Sequence, residues 1–188
     1  GTVDIDEAFL GNKYLKKVTI PATVLTARYA FQYCTALKTV NFSEGMVLIP
    51  SNVCYEVASL ETVTLPSTIK EIEYGAFYQS GLKSVIVPEG VTKIGEYAFA
   101  YCSSLTSITI PDSVTTIGDG AFENCYDLSS IHLGDSVESI GEGAFFACKN
   151  LESITLPASV VEVGAYVFSG CDSLRSIQIP EALMEVGY

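Results

Sequence analysis

The sequence predicts a solenoid of the α/β class, in which stacked coils place their short strands in one curved parallel sheet. Two observations lead to this prediction. The first is a period of 22 or 23 residues: leucines recur every 23 residues at Leu82, Leu105, Leu128, Leu151 and Leu174. The second is the pattern inside each period, where alternating apolar residues end at a proline. A single coil cannot bury its apolar side, whereas stacked coils can.

The repeat reads L-x-x-I-x-I-P-x-x-V-x-x-I-G-x-x-A-F-x-x-C-x-x, and residues 105–127 are its cleanest copy. Residues 1–14 and 174–188 are half-copies, so 1–188 is predicted to be one domain. Seven complete copies fill residues 15–173 and begin at Leu15, Leu37, Leu60, Leu82, Leu105, Leu128 and Leu151.

Each position of the repeat, counted from its leucine, has a predicted structural role. The isoleucines at positions 4 and 6 alternate, which predicts a strand with both side chains on one face. Proline at position 7 ends the strand, and Val and Ile at positions 10 and 13 turn inward again. Glycine at position 14 suits a tight turn or a left-handed conformation. Ala-Phe with Cys three residues later fits one helical turn, with Phe and Cys on the same side.

Two copies depart from this pattern, which predicts local distortion there. The second, 37–59, has Ser43 for proline, Pro50 for glycine and Val53-Cys54 for Ala-Phe. The sixth has Gly134 in place of proline.

At these residues the chain resembles the BspA-like (Treponema pallidum-type) leucine-rich repeats of bacterial and protist surface proteins. The resemblance spans about seven repeats. It implies a right-handed leucine-rich-repeat superhelix, an extracellular or cell-surface location, and an adhesion-like role. Because both ends stop in mid-pattern and a solenoid needs capped ends, we expect either further domains of the same protein at either end or ends that pack against another copy.

Composition and charge exclude several classes of function. The chain is 48% apolar, which excludes a disordered protein, and no apolar run approaches the length of a membrane helix. Its net charge is −12, which argues against nucleic acid as a partner. The charge is uneven, because residues 95–188 hold 13 acidic and 2 basic side chains.

The six cysteines are predicted to be free, buried thiols. Equivalent positions in neighbouring coils carry parallel side chains, which suits neither a disulfide nor a clustered zinc site. A metal or redox role is the alternative. The lone histidine, His132, lies on the outer side of a strand with no acid or nucleophile nearby. The sequence therefore predicts no catalytic residue, no cofactor and no metal ligand.

The exposed strand positions form a flat, hydroxyl-rich surface, which the resemblance places on the concave side of the solenoid. Such a surface could dock an extended protein or a glycan, or it could be only a solvated sheet. The predicted binding residues are Thr62, Thr64, Ser84, Ser107, Thr109, Ser130, His132, Ser153 and Thr155.

Two further groups of residues leave alternatives open. Tyrosines at Tyr29, Tyr33, Tyr97, Tyr101 and Tyr166 share repeat positions away from the strand, with others nearby; they either pack between coils or form an aromatic contact patch. Two acidic columns are either solvated turns or weak calcium sites. They comprise Glu89, Asp112 and Asp135, and Glu96, Asp119 and Glu142.

The predicted function is a non-enzymatic surface or secreted module with a protein or glycan ligand. The alternative is a rigid spacer that presents another domain of a longer protein and binds nothing itself.

Overall fold

A computed structural model describes residues 1–184, without the side chains of Ala182 and Met184. Residues 185–188, the end of the predicted C-terminal half-repeat, lie outside the described residues. The elements are β1 (Val3–Asp4), β2 (Lys17–Ile20), β3 (Val24–Thr26), β4 (Thr39–Phe42), β5 (Leu48–Ile49), β6 (Thr62–Thr64), β7 (Glu71–Ile72), β8 (Lys93–Ile94), β9 (Ser107–Thr109), β10 (Thr116–Ile117), β11 (Ser130–His132), β12 (Ser139–Ile140), β13 (Ser153–Thr155), β14 (Glu162–Val163), β15 (Ser176–Gln178) and α1 (Glu181–Met184).

The predicted strands at positions 3–5 of the repeat form a first column, in which every pairing is parallel. The register advances by one repeat, so that Ser107 pairs with Ser130 and Thr109 with His132. The column comprises β2-β4-β6, then β9-β11 and β13-β15, and residue Ile86 joins it through an isolated bridge to Thr109.

The prediction of a single sheet is wrong, because a second column of parallel strands follows the first within each coil. It runs β5-β7-β8-β10-β12-β14 without interruption. These strands are two residues long, around the inward Ile or Val of position 13. A two-residue strand is too short to show alternation, so only the inward turn of positions 10 and 13 could be read from the sequence.

The predicted helical turn at Ala-Phe is also wrong, and the α/β class is not supported by helix content. Among residues 1–184 the only helix is the four-residue α1. In the Ala-Phe segments, consecutive β-turns alternate with hydrogen bonds to the next coil. Phe99 N–H donates to Ala121 O at 2.8 Å, for example, while Ala100 N–H donates to Tyr97 O at 3.1 Å. We call this third side of the coil the turn column.

Each coil of the turn column has two residues with positive φ, four positions apart, and several are not glycine. Tyr97 has φ 54° and Tyr101 has φ 59°. A helix is impossible with these angles. The left-handed residues point their N–H groups at the next coil, as in the 2.8 Å bond from Tyr97 N to Asp119 O. Hydrogen bonding to the next coil therefore replaces the helical pattern.

Glycine is required at position 14 for a different reason from the one predicted. Gly95, Gly118, Gly141 and Gly164 do not have positive φ. Instead, each lies directly against the backbone of the preceding coil: a Cβ on Gly118 would lie 2.6 Å from Glu96 N and 2.8 Å from Gly95 C. Close approach of two coils, and not conformational freedom, requires glycine here.

The core confirms the predicted inward positions. Phe99, Phe122 and Phe145 are fully buried and stack, with ring centroids 5.5 Å apart between neighbours. The stack is missing one ring where Cys54 replaces phenylalanine. In the same coil Phe42 stands where other coils carry Ile, Leu or Val, and its ring packs edge-on against Phe77 at 6.3 Å. The larger side chain at one position thus compensates the smaller one at another.

Candidate interaction surfaces

The structure places all nine predicted binding residues on the outer side of the first column, and all nine are exposed. We call them the hydroxyl face. Their alternation with the buried Ile108 and Ile154 follows from the two-residue period of a strand. The nine side chains are therefore brought to one surface, as predicted.

The hydroxyl face differs from other hydroxyl columns in its hydrogen bonding. At position 9, Thr68, Ser113 and Ser159 each donate to a carbonyl of the preceding coil, at 2.6–2.7 Å. Within residues 1–184 none of the nine hydroxyl-face side chains makes such a bond. Their donors and acceptors take no part in holding the coils together, and so remain open to water or a ligand.

Ile86 is an exception on this face, because an apolar side chain lies where other coils carry Thr, Asn, His or Gln. It is 87% exposed. Strand pairing across the column is interrupted beside it, between β6 and residues 84–87. An open recess of about 330 Å³ lies here, lined partly by Ser84, Ile86 and Thr109. Ile86 shares the repeat position of Thr64 and Thr109, and nothing in the repeat pattern marks it as a contact residue.

The cysteines are free and buried, and they form a ladder of structural contacts. The thiol of Cys125 donates to Phe99 O, and that of Cys148 to Phe122 O, each at 3.2 Å. Burial raises the pKa of the Cys102 thiol to about 11, and raises the pKa of Cys125 as well. A thiol that stays protonated is a poor nucleophile and a poor metal ligand.

Because the thiols are buried, we expect the free energy of unfolding to fall in alkaline solution. In the unfolded chain a thiol ionises near pH 8.5–9, whereas folded Cys102 holds its proton to about pH 11. The folded state therefore binds more protons in this window, and the free energy of unfolding falls as pH rises. Cys102 alone accounts for about 2–3 kcal/mol between pH 9 and 11.

Urea unfolding between pH 7.5 and 11 would measure this effect, with Cys102→Ala as the control that should show a shallower decline. A free energy of unfolding that stays constant over this range would contradict the burial of the thiols.

The acidic columns have a structural role that the sequence did not reveal. Asp112 Oδ1 accepts the N–H of Asp135 at 2.9 Å, and Asp119 Oδ1 accepts the N–H of Glu142 at 2.7 Å. Each carboxylate thereby satisfies a backbone donor of the next coil where the chain turns. Within residues 1–184 no three His, Cys, Asp or Glu side chains group as a metal site.

Several tyrosines pack between coils, which is the first of the two interpretations. Tyr29, Tyr55, Tyr78 and Tyr101 form a connected row across four coils, with successive ring centroids 5.4, 4.5 and 5.2 Å apart. The first three are half-buried and Tyr101 is exposed. Burial raises the pKa of Tyr78 to about 12. The row therefore packs between coils, with Tyr101 as its exposed member on the turn column.

No helix in the described part of the chain is long and apolar enough to cross a membrane.

Known structures share this architecture. The leucine-rich repeat protein of T. pallidum is 28% identical, with a TM-score of 0.74 over 86% of this chain and 79% of that one. A leucine-rich repeat protein from Bacteroides ovatus is 24% identical, with a TM-score of 0.61 over 93% of this chain and 58% of its own. The pneumococcal vaccine antigen PcpA is 16% identical, with a TM-score of 0.55 over 96% of this chain and 64% of its own.

The last two likenesses concern the fold alone, and the chain spans less than two thirds of either protein. No curated protein matches the sequence. The model of the BspA type leucine rich repeat region matches residues 5–106 and 70–188, in six copies. These matches cover nearly the whole chain. The 23-residue repeat, the parallel coils and the structural neighbours agree with this match. The chain therefore belongs to the BspA-type leucine-rich repeat family.

Proposed function

We propose that this chain is a non-enzymatic interaction module of a cell-surface or secreted protein, which binds a host or matrix protein across the hydroxyl face. The observation that carries the proposal is the set of nine exposed side chains without hydrogen-bond partners in the described residues. Proteins of this repeat family typically mediate protein interactions, which supports the same assignment.

The form of the surface indicates the form of its ligand. The exposed side chains are short and stand in rows one coil apart, so they suit an extended segment that crosses several coils. Hydroxyl groups can donate and accept, which gives such a segment many weak contacts. The exposed Ile86, with Ser84 and Thr109 in its recess, offers one apolar anchor within the rows.

Two observations support a non-enzymatic role. His132 is exposed and its ring has no hydrogen-bond partner among residues 1–184. The cysteines are buried, with raised pKa values. Neither His132 nor the cysteines form the pair of activated nucleophile and general base that covalent catalysis requires.

A glycan ligand is the second candidate, and the row of tyrosines favours it. Tyr55 and Tyr78 stack at 4.5 Å, and Tyr101 extends the row at its exposed end. Sugar rings pack their C–H groups against the faces of aromatic rings, and Tyr101 is the exposed ring of the row, so a glycan would occupy the turn column and not the hydroxyl face.

Binding of purified chain to an array of matrix proteins and glycans, at physiological salt and with or without calcium, tests the proposal. We expect saturable, salt-tolerant binding to at least one protein. A hit confined to glycans would favour the second candidate. A blank from a folded, monodisperse sample would contradict both and favour the rigid spacer.

A further inference from the structure

A gap in the turn column lies between two tyrosines in the acidic half of the chain. One repeat position is occupied by Tyr97, Gly120, Gly143 and Tyr166 in four successive coils. Gly143 leaves a cleft between the tyrosines, and an open recess of about 410 Å³ occupies it. Three coil steps of backbone span roughly 14 Å, and the Tyr97 ring lies over the first of them at Gly120, so the room for a flat side chain is at Gly143.

Side chains form the walls of this recess, and the Tyr97 ring, packed against Gly120, forms its N-terminal wall. The Tyr97 ring covers Gly120 so closely that a Cβ there would lie 2.4 Å from Tyr97 Cε1. The same Cβ would lie 3.1 Å from Glu123 Oε2, so the carboxylate stands beside the tyrosine ring. Tyr166 on the opposite wall is 70% exposed, and Phe146 is 37% exposed.

The recess carries three carboxylates and no cation. Asp119, Glu123 and Glu142 all line it. None of the three forms an ion pair within residues 1–184, where the ion pairs join Arg28 to Asp6, Lys38 to Glu61 and Lys93 to Glu71. Partial burial raises the pKa of Glu123, although the amide of Asn124 donates to its Oε1 at 2.9 Å.

The chemistry of these walls selects the charge and shape of the occupant. The carboxylates do not group closely enough to form a metal site, so a compact ion does not suit them. Aromatic faces next to separated carboxylates suit a planar organic cation, which stacks on a ring and donates N–H bonds at its edges. The surrounding half of the chain has a net charge of −11, which attracts cationic segments.

We propose that the recess between Tyr97 and Tyr166 binds an arginine side chain from a basic segment of a protein partner. The guanidinium group would stack between the aromatic rings and donate to Glu123. The inference rests on the proposed function, because it gives the partner of the interaction module a defined chemistry and places a contact on the turn column.

Titration of the chain with acetyl-Gly-Arg-Gly-amide, followed by NMR shifts of the Gly120 and Gly143 amides at 150 mM salt, tests the proposal. The neutral probe acetyl-Gly-citrulline-Gly-amide has nearly the same shape and no charge. We expect saturable shifts for the arginine probe and at least about threefold weaker binding of the citrulline probe.

Glu123→Gln and Tyr166→Leu should each weaken the arginine probe about threefold or more, and Glu138→Gln should not. Glu138 is the matched control, because it is exposed on the second column and its change alters net charge equally. Thermal melting of each variant verifies its fold.

Equal binding of both probes, or equal effects of Glu123→Gln and Glu138→Gln, would overturn the arginine site. If the array yields a protein ligand while the arginine probe fails, the arginine site is wrong and the interaction module stands. If the probe binds while the array is blank, the arginine site stands and the proposed function fails.

Discussion

Replacing Gly118 with alanine is expected to lower the free energy of unfolding by about 3 kcal/mol. The added methyl group would lie 2.6 Å from Glu96 N, and two hydrogen-bonded coils would have to separate to accept it. Since Gly118 does not have positive φ, alanine meets no conformational obstacle there. Urea unfolding followed by circular dichroism measures the change.

Gly143→Ala is the matched control for this prediction. Gly143 has φ +59°, and the nearest atom to an added Cβ is 3.6 Å away. Its substitution should cost only the strain of a left-handed alanine, about 1 kcal/mol. A larger loss of stability at Gly143 than at Gly118 would contradict the conclusion that close contact between coils requires glycine at position 14.

Phe122→Ala is expected to destabilise the chain by about 3–5 kcal/mol. The Phe122 ring is fully buried and stacks on Phe99 and Phe145, each 5.5 Å away. Its removal leaves a cavity at the middle of the stack, and the rigid coils on both sides cannot collapse into it. Because stability in a solenoid is carried by contacts between neighbouring coils, the effect should extend to both of them.

Phe146→Ala provides the control, since Phe146 follows a stacked residue in sequence but is 37% exposed. Its loss should change the free energy of unfolding by no more than about 1 kcal/mol. Similar effects at Phe122 and Phe146 would contradict the stacked core.

The sequence predicted the coils and their inward residues because these depend on a period that every copy repeats. Leu105, Ile108, Phe122 and Cys125 are buried as the pattern indicates. The turn column was not predictable in the same way. Tyr97 disfavours a left-handed conformation on its own, and the bond to the next coil together with the packing of its ring over Gly120 stabilises it there.

The candidate surfaces show the same division. Exposure of Ser107 and Thr109 follows from strand alternation, so the hydroxyl face was predictable. The recess at Gly143 was not, because it depends on which residues occupy one position in four successive coils and on the Tyr97 ring covering Gly120. The handedness of the superhelix remains an expectation from the family resemblance.

Affinity measured on variants of the hydroxyl face is the decisive test of whether this surface binds the ligand. The double variant Thr109→Tyr, Ser130→Tyr fills the rows with bulk, while Val161→Tyr places the same side chain at an exposed residue immediately before β14 in the second column. For a protein ligand found on the array, we expect the double variant to bind about tenfold more weakly or worse and Val161→Tyr to bind normally. Wild-type affinity of the folded double variant would contradict the claim.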